Sequence, residues 1–152
     1  MKIAIGSDHA GFGLKEEVRG LLKEGNFEVT DCGTDNTASV DYPDFGEKVS
    51  RLVSAGEVDR GILICGTGIG MSMVANKFPN VRAALCNDLF CARMSRLHND
   101  ANILVLGGRI IGKDLAAEIV RTWLETPFEG DRHMRRLLKI KKIEDSVNEN
   151  GI

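Results

Sequence analysis

Strands alternating with amphipathic helices along all 152 residues predict one α/β domain around a parallel sheet covered on both faces. Two features carry this reading. Ile62, Leu63 and Ile64 form an apolar, β-branched-rich run, the mark of a strand buried on both faces. The segments between strands repeat apolar residues at helical spacing, as in Leu14, Val18, Leu21 and Leu22, with Lys15, Glu16, Glu17 and Arg19 on the wet side.

In chain order, Lys2 to Gly6 reads as the first strand and Ser7 to Gly11 as the loop into the first helix, which Gly25-Asn26 stops. Phe27 to Cys32 alternates like a strand nearer the sheet edge, and Gly33 to Tyr42 is a polar loop. Pro43 suits the start of a helix with Phe45, Val49, Leu52 and Val53 inward. The strand at Ile62–Ile64 follows, then a helix from about Gly70 to Asn76. Val81 to Cys86 is expected as a fourth strand, Leu89 to Leu97 as a helix, and Ile103 to Leu106 as a fifth strand closed by Gly107-Gly108-Arg109. Asp114 to Leu124 is amphipathic, and Leu137, Leu138, Ile140 and Ile143 suggest a last helix. The result is a three-layer, Rossmann-like α/β/α domain over residues 1–145 with five parallel strands, their order beginning with the second, first and third. Residues 146–152 are expected to be a frayed tail.

Composition narrows the function. Hydrophobic residues make up 43% and charged residues 28%, as in a chain with a real core. A formal net charge of −2 argues against a nucleic-acid binder working through bulk positive charge. No apolar run reaches the roughly 20 residues that span a bilayer, and the start shows no signal-peptide pattern, so a cytoplasmic protein without membrane contact is expected. The four cysteines form no C-x-x-C pair, which weakens zinc and thioredoxin readings. Cys32, Cys86 and Cys91 read as small buried hydrophobes, and Trp123 as core.

Cys65 stands in a different context. It ends a strand and precedes Gly66, Gly68 and Gly70, where missing Cβ atoms let backbone amides approach an anion. A helix start next to a thiol also favours the thiolate. The loop has no Gly-Lys-Ser/Thr of a Walker motif, and the arginine that a phosphatase loop places six residues after its cysteine is Met71 here. In the dinucleotide fingerprint G-x-G-x-x-G the third glycine falls one residue later than Gly70. Functional groups of parallel sheets gather at the strands' carboxyl ends, which adds Asp8, His9 and Arg109. Taken alone, Asp8 can equally cap a helix, His98-Asn99-Asp100 can end one, and Arg132, Arg135 and Arg136 can be a solvated helix face. Arg132 and Arg136, four apart, can also present two forks to one phosphate.

Six motifs occur together and in order: Ser7-Asp8-His9-Ala10-Gly11, Asp41-Tyr42-Pro43, Cys65-Gly66-Thr67-Gly68-Ile69-Gly70, Ala75-Asn76-Lys77, His98-Asn99-Asp100-Ala101-Asn102 and Gly107-Gly108-Arg109. With them the chain resembles, over roughly residues 1–145, the ribose-5-phosphate isomerase B family, which includes galactose-6-phosphate and allose-6-phosphate isomerases. The resemblance implies interconversion of ribose 5-phosphate and ribulose 5-phosphate through an enediolate, without metal or organic cofactor. It assigns Cys65 as the base. Thr67 and the amides of Gly66, Gly68, Ile69 and Gly70 hold the oxyanion, and His98 opens the sugar ring. Asp8 then holds sugar hydroxyls or assists at the ring oxygen, Tyr42 lines the pocket, Asn99 contacts sugar or oxyanion, and His9, Arg109, Arg132 and Arg136 grip the phosphate. Some members carry a glutamate after the glycine loop instead of the cysteine; here that residue is Met71, which places the chain in the cysteine branch. The resemblance also implies a homodimer, or two such dimers paired into a tetramer, with shared sites in which His98, Asn99 and Arg109 reach the partner's loop. The alternatives are a hexose-phosphate isomerase of the same family and a non-catalytic phosphosugar-binding module.

Overall fold

The computed structural model describes residues 1–150. Its strands are β1 (Lys2–Ser7), β2 (Glu28–Asp31), β3 (Arg60–Cys65), β4 (Ala83–Leu85) and β5 (Ile103–Gly107). They form one all-parallel sheet in the order β2-β1-β3-β5-β4. The helices are α1 (Phe12–Glu24), α2 (Tyr42–Ser54), α3 (Ile69–Ala75), α4 (Leu89–Leu97), α5 (Lys113–Glu125) and α6 (Asp131–Asn150). The architecture is the single-domain Rossmann-like α/β/α fold.

The three central strands are apolar and buried because helices cover both faces. Strand side chains alternate between faces, so Ile62 and Ile64 enter one core with Ile5, Leu104 and the fully buried Trp123. Leu63 and Cys65 enter the other with Val49, Met71 and Val105. The pleat therefore aims the Cys65 side chain into the layer of α2 and α3, at the carboxyl end of the sheet.

Several details differ from expectation. β4 begins at Ala83, not Val81, because the amides of Arg82 and Ala83 donate to the side-chain carbonyls of Asn102 and Asn76. Cys86 is buried, but Cys32 is only half-buried and Cys91 is exposed on the first turn of α4. Helix α6 continues through residues 146–150, where a frayed tail was expected to start; residues 151–152 of that expected tail lie outside the described residues. Among the described residues, no helix is long and apolar enough to cross a membrane.

Candidate active site

One group of predicted residues meets at the carboxyl edge of β1, β3 and β5. Asp8 leaves β1 buried, its Oδ1 accepting the Gly11 N–H at 3.0 Å, so it serves the start of α1 as well as facing the loop. His9 Nδ1 accepts the Val40 N–H at 3.2 Å. That bond leaves the ring hydrogen on Nε2 and fixes His9 as a donor, the form needed to hold an anion. The Cys65 thiol is buried, and the Gly68 N–H points at Sγ at 3.2 Å, a donor that stabilises negative charge on sulfur. This contact requires Gly68 at φ +82°, a left-handed conformation that glycine adopts without a Cβ penalty. Thr67 is exposed, with Oγ1 accepting the Ile69 N–H at 3.3 Å, and Gly68 caps α3 as the glycine pattern predicts.

Tyr42, at the start of α2, lies over the loop. A Cβ on Gly70 would stand 2.6 Å from its ring carbons, so Gly70 lets the ring sit against the backbone. The turn after β5 buttresses the loop from the other side: Gly108 N–H donates to the Cys65 carbonyl at 2.8 Å and Arg109 N–H to the Gly66 carbonyl at 2.9 Å. The Arg109 side chain runs past Gly66, its Cδ 3.6 Å from where a Cβ would stand. The Arg109 side chain thus lies beside the loop of its own chain. Asn87 was not singled out by the sequence; its Oδ1 accepts the Gly107 N–H at 3.1 Å and ties this turn to the end of β4. An asparagine following a strand was the available signal.

His98, Asn99, Arg132 and Arg136 lie elsewhere. A helix that follows a parallel strand runs back along it, so α4 ends at the amino edge of the sheet. The polypeptide there confirms the direction: Asn102 N–H donates to the Arg82 carbonyl beside the start of β4, and Gly61 N–H at the start of β3 donates to the Asn102 carbonyl. The six residues of β3, at about 3.3 Å each, put roughly 17 Å between that edge and Cys65. His98 is therefore out of reach of the Cys65 in its own chain.

At this second edge His98 caps the carboxyl end of α4 and stacks on His133, with ring centroids 4.2 Å apart and planes 10° from parallel. The Glu129 carboxylate approaches both rings, its Oε2 3.8 Å from His98 Nε2 and 3.2 Å from His133 Nε2. Glu129 is held there by its N–H, which donates to the Leu97 carbonyl at 3.0 Å. Arg132 Nε donates to His133 Nε2 at 3.3 Å. Burial, with His98 and Arg132 adjacent, pushes the His133 pKa below the usual histidine value. Asn99 and both arginines are exposed, with Arg132 and Arg136 one turn apart on α6. Sequence reasoning missed His133 and Glu129, whose only signal was a histidine four residues after a glutamate. Among the described residues, His98, Glu129 and His133 are the one group with potential metal-ligand atoms within 4.8 Å of one another.

The arrangement is thus two clusters at opposite sheet edges: a thiol in an amide-lined loop with His9, Tyr42 and Arg109, and a pair of imidazoles beside the exposed Arg132 and Arg136. Comparison with known proteins gives this pattern a family. The model of the family described as Ribose/Galactose Isomerase matches residues 3–140. Ribose-5-phosphate isomerase B of Escherichia coli is 48% identical over 147 residues, covering 97% of this chain and 99% of that one. The solved ribose-5-phosphate isomerase B of Clostridium thermocellum superposes with a TM-score of 0.94 at 57% identity, over 96% of this chain and 99% of the other. That of Thermotoga maritima gives 0.90 at 55% identity, over 93% and 97%. Fold, motifs and similarity over nearly the full length agree: the chain belongs to the ribose/galactose isomerase family.

Proposed function

We propose that the chain interconverts ribose 5-phosphate and ribulose 5-phosphate, with each site built from the carboxyl edge of one copy and the amino edge of another. The observation that carries this is the buried Cys65 Sγ facing the Gly68 amide, in a loop whose other amides remain near an exposed Thr67 hydroxyl. On open-chain ribose 5-phosphate, the Cys65 thiolate takes the C2 proton. The C2–H electrons form the C1–C2 double bond, and the carbonyl electrons move to O1. The loop amides and Thr67 stabilise that enediolate as preorganised donors. O1 then takes up a proton as O2 loses one, and the Sγ proton returns to C1, leaving the ketone at C2. Cys65 forms no covalent bond to the sugar, and no step draws on a metal or organic cofactor.

His98 acts before this, moving a proton between the anomeric hydroxyl and the ring oxygen, a task suited to imidazole near neutrality. Asp8 and Asn99 hold sugar hydroxyls, Tyr42 closes the pocket, and His9, Arg109, Arg132 and Arg136 take the phosphate. The split of these residues between two edges calls for a homodimer. Exposed apolar side chains support it: Phe90 (72% exposed), Met73 and Ile110 flank the thiol half-site, and Met134 and Leu138 on α6 flank the histidine half-site. A two-fold pairing that joins unlike edges buries both sets and completes two sites at once.

The test is kcat/KM of the purified chain on ribose 5-phosphate and allose 6-phosphate, with ketose formation followed directly. Higher efficiency on ribose 5-phosphate is expected. Preference for allose 6-phosphate would move the reading to the family's hexose phosphates, and no turnover of either would overturn it.

A further inference from the structure

We propose that His98, Glu129 and His133 form a binding site for a divalent transition metal of the zinc class, and that occupancy silences the histidine half-site. The three side chains supply two imidazole nitrogens and a carboxylate, a donor set suited to zinc with a fourth position left for water. Zinc bonds of about 2.0–2.1 Å in a tetrahedron place neighbouring ligand atoms about 3.3 Å apart. Glu129 Oε2 stands 3.2 Å from His133 Nε2 and 3.8 Å from His98 Nε2, and all three ligand atoms lie within 4.8 Å of one another.

A guanidinium can only donate, so Arg132 Nε, at 3.3 Å, occupies the one lone pair of His133 Nε2. Glu129 Oε2 stands 3.2 Å from the same nitrogen, an anionic ligand atom in place once that lone pair is released. The site is also part-built: His133 is buried in the first turn of α6, and the backbone bond to Leu97 holds Glu129. Coordination requires Arg132 to release His133 and His98 to turn out of the stack. His98 is at a helix end and more than a third exposed, so it has room to turn.

Metal binding itself stands apart from the isomerase reading. Its consequence for activity rests on that reading, because a metal-bound His98 has no lone pair for proton transfer.

The test is calorimetric titration of the full chain with zinc chloride, alongside the absorption spectrum of the cobalt(II) form. The expected result is one metal ion per chain and a cobalt spectrum without thiolate charge transfer. Affinity should fall about tenfold or more in Glu129→Gln and in His133→Gln, since even an indirect ligand contact is worth that much. Cys65→Ser should stay within about threefold of the native affinity. Glu129 is half exposed, so Glu129→Gln decides the matter if His133→Gln fails to fold. Unchanged affinity in Glu129→Gln, or loss of binding in Cys65→Ser, overturns the proposal. Zinc should also inhibit turnover of ribose 5-phosphate reversibly on EDTA addition. Binding without inhibition would leave the metal site standing and count against the role given to His98.

Discussion

Replacing Cys65 separates its chemical role from its structural one. In Cys65→Ala the Gly68 N–H, buried beneath the loop, loses the Sγ acceptor at 3.2 Å. An unsatisfied buried donor costs about 1–3 kcal/mol. For a chain of this length each kcal/mol lowers Tm by about 2–4 °C, so the variant should melt about 2–12 °C below the native protein and remain folded at room temperature. Cys65→Ser keeps an acceptor at that position and should melt closer to native. Turnover behaves differently. A hydroxyl is far less acidic than a thiol and does not replace it as a base, so both variants should lose about 10²–10⁴-fold in kcat, the usual worth of a positioned acid or base. The assay is calorimetric melting of both variants together with steady-state isomerisation of ribose 5-phosphate. A serine variant within tenfold of native kcat would refute the base assignment; an alanine variant with native Tm would refute the Gly68 contact.

Arg132→Ala and Arg136→Ala should each raise KM by about tenfold to a hundredfold and change kcat little. Each removes a charge-assisted contact of about 1.5–3 kcal/mol that acts in ground and transition states alike. Loss of kcat at constant KM would contradict the phosphate role. Thiol alkylation near pH 7 should inactivate the enzyme by modifying Cys65, with substrate protecting. The other three thiols are held protonated: Cys86 by burial, which pushes its pKa to about 11, Cys32 by burial and Asp31, and Cys91 by its bond to Asp88. Their labelling, read by peptide mass spectrometry, should grow only as pH rises; early labelling of Cys91 with activity intact would contradict this.

Local patterns in the sequence revealed most of the fold and one half of the site. The apolar run Ile62–Ile64 marks β3, and the alternate glycines mark the loop where Cys65, Thr67 and Gly68 meet. Strand ends alone point to Asp8, His9 and Arg109. The position of Arg109 beside its own loop was not legible, because it depends on β5 pairing with β3 and carrying its turn next to Gly66. The length of β4 was equally hidden, since the side chains of Asn76 and Asn102, outside the strand, take the amides of Ala83 and Arg82. The His98–Glu129–His133 cluster joins the end of α4 to the start of α6 across some thirty residues of chain, and no local spacing encodes that meeting. Chain direction, however, does: a helix after a parallel strand ends at the amino edge, which puts His98 and Cys65 at opposite ends before any coordinate is known.

That separation leads to the central claim, that an active site needs two copies of the chain. Mixing Cys65→Ala with His98→Asn in equal amounts under conditions that allow subunit exchange tests it most directly. Neither variant alone forms a complete site. Random pairing makes about half of the dimers mixed, and in each mixed dimer one of the two sites joins an intact Cys65 to an intact His98. The account predicts recovery of about one quarter of native turnover on ribose 5-phosphate. Activity that stays at the level of the separate variants, once mixed dimers are shown to have formed, would contradict it.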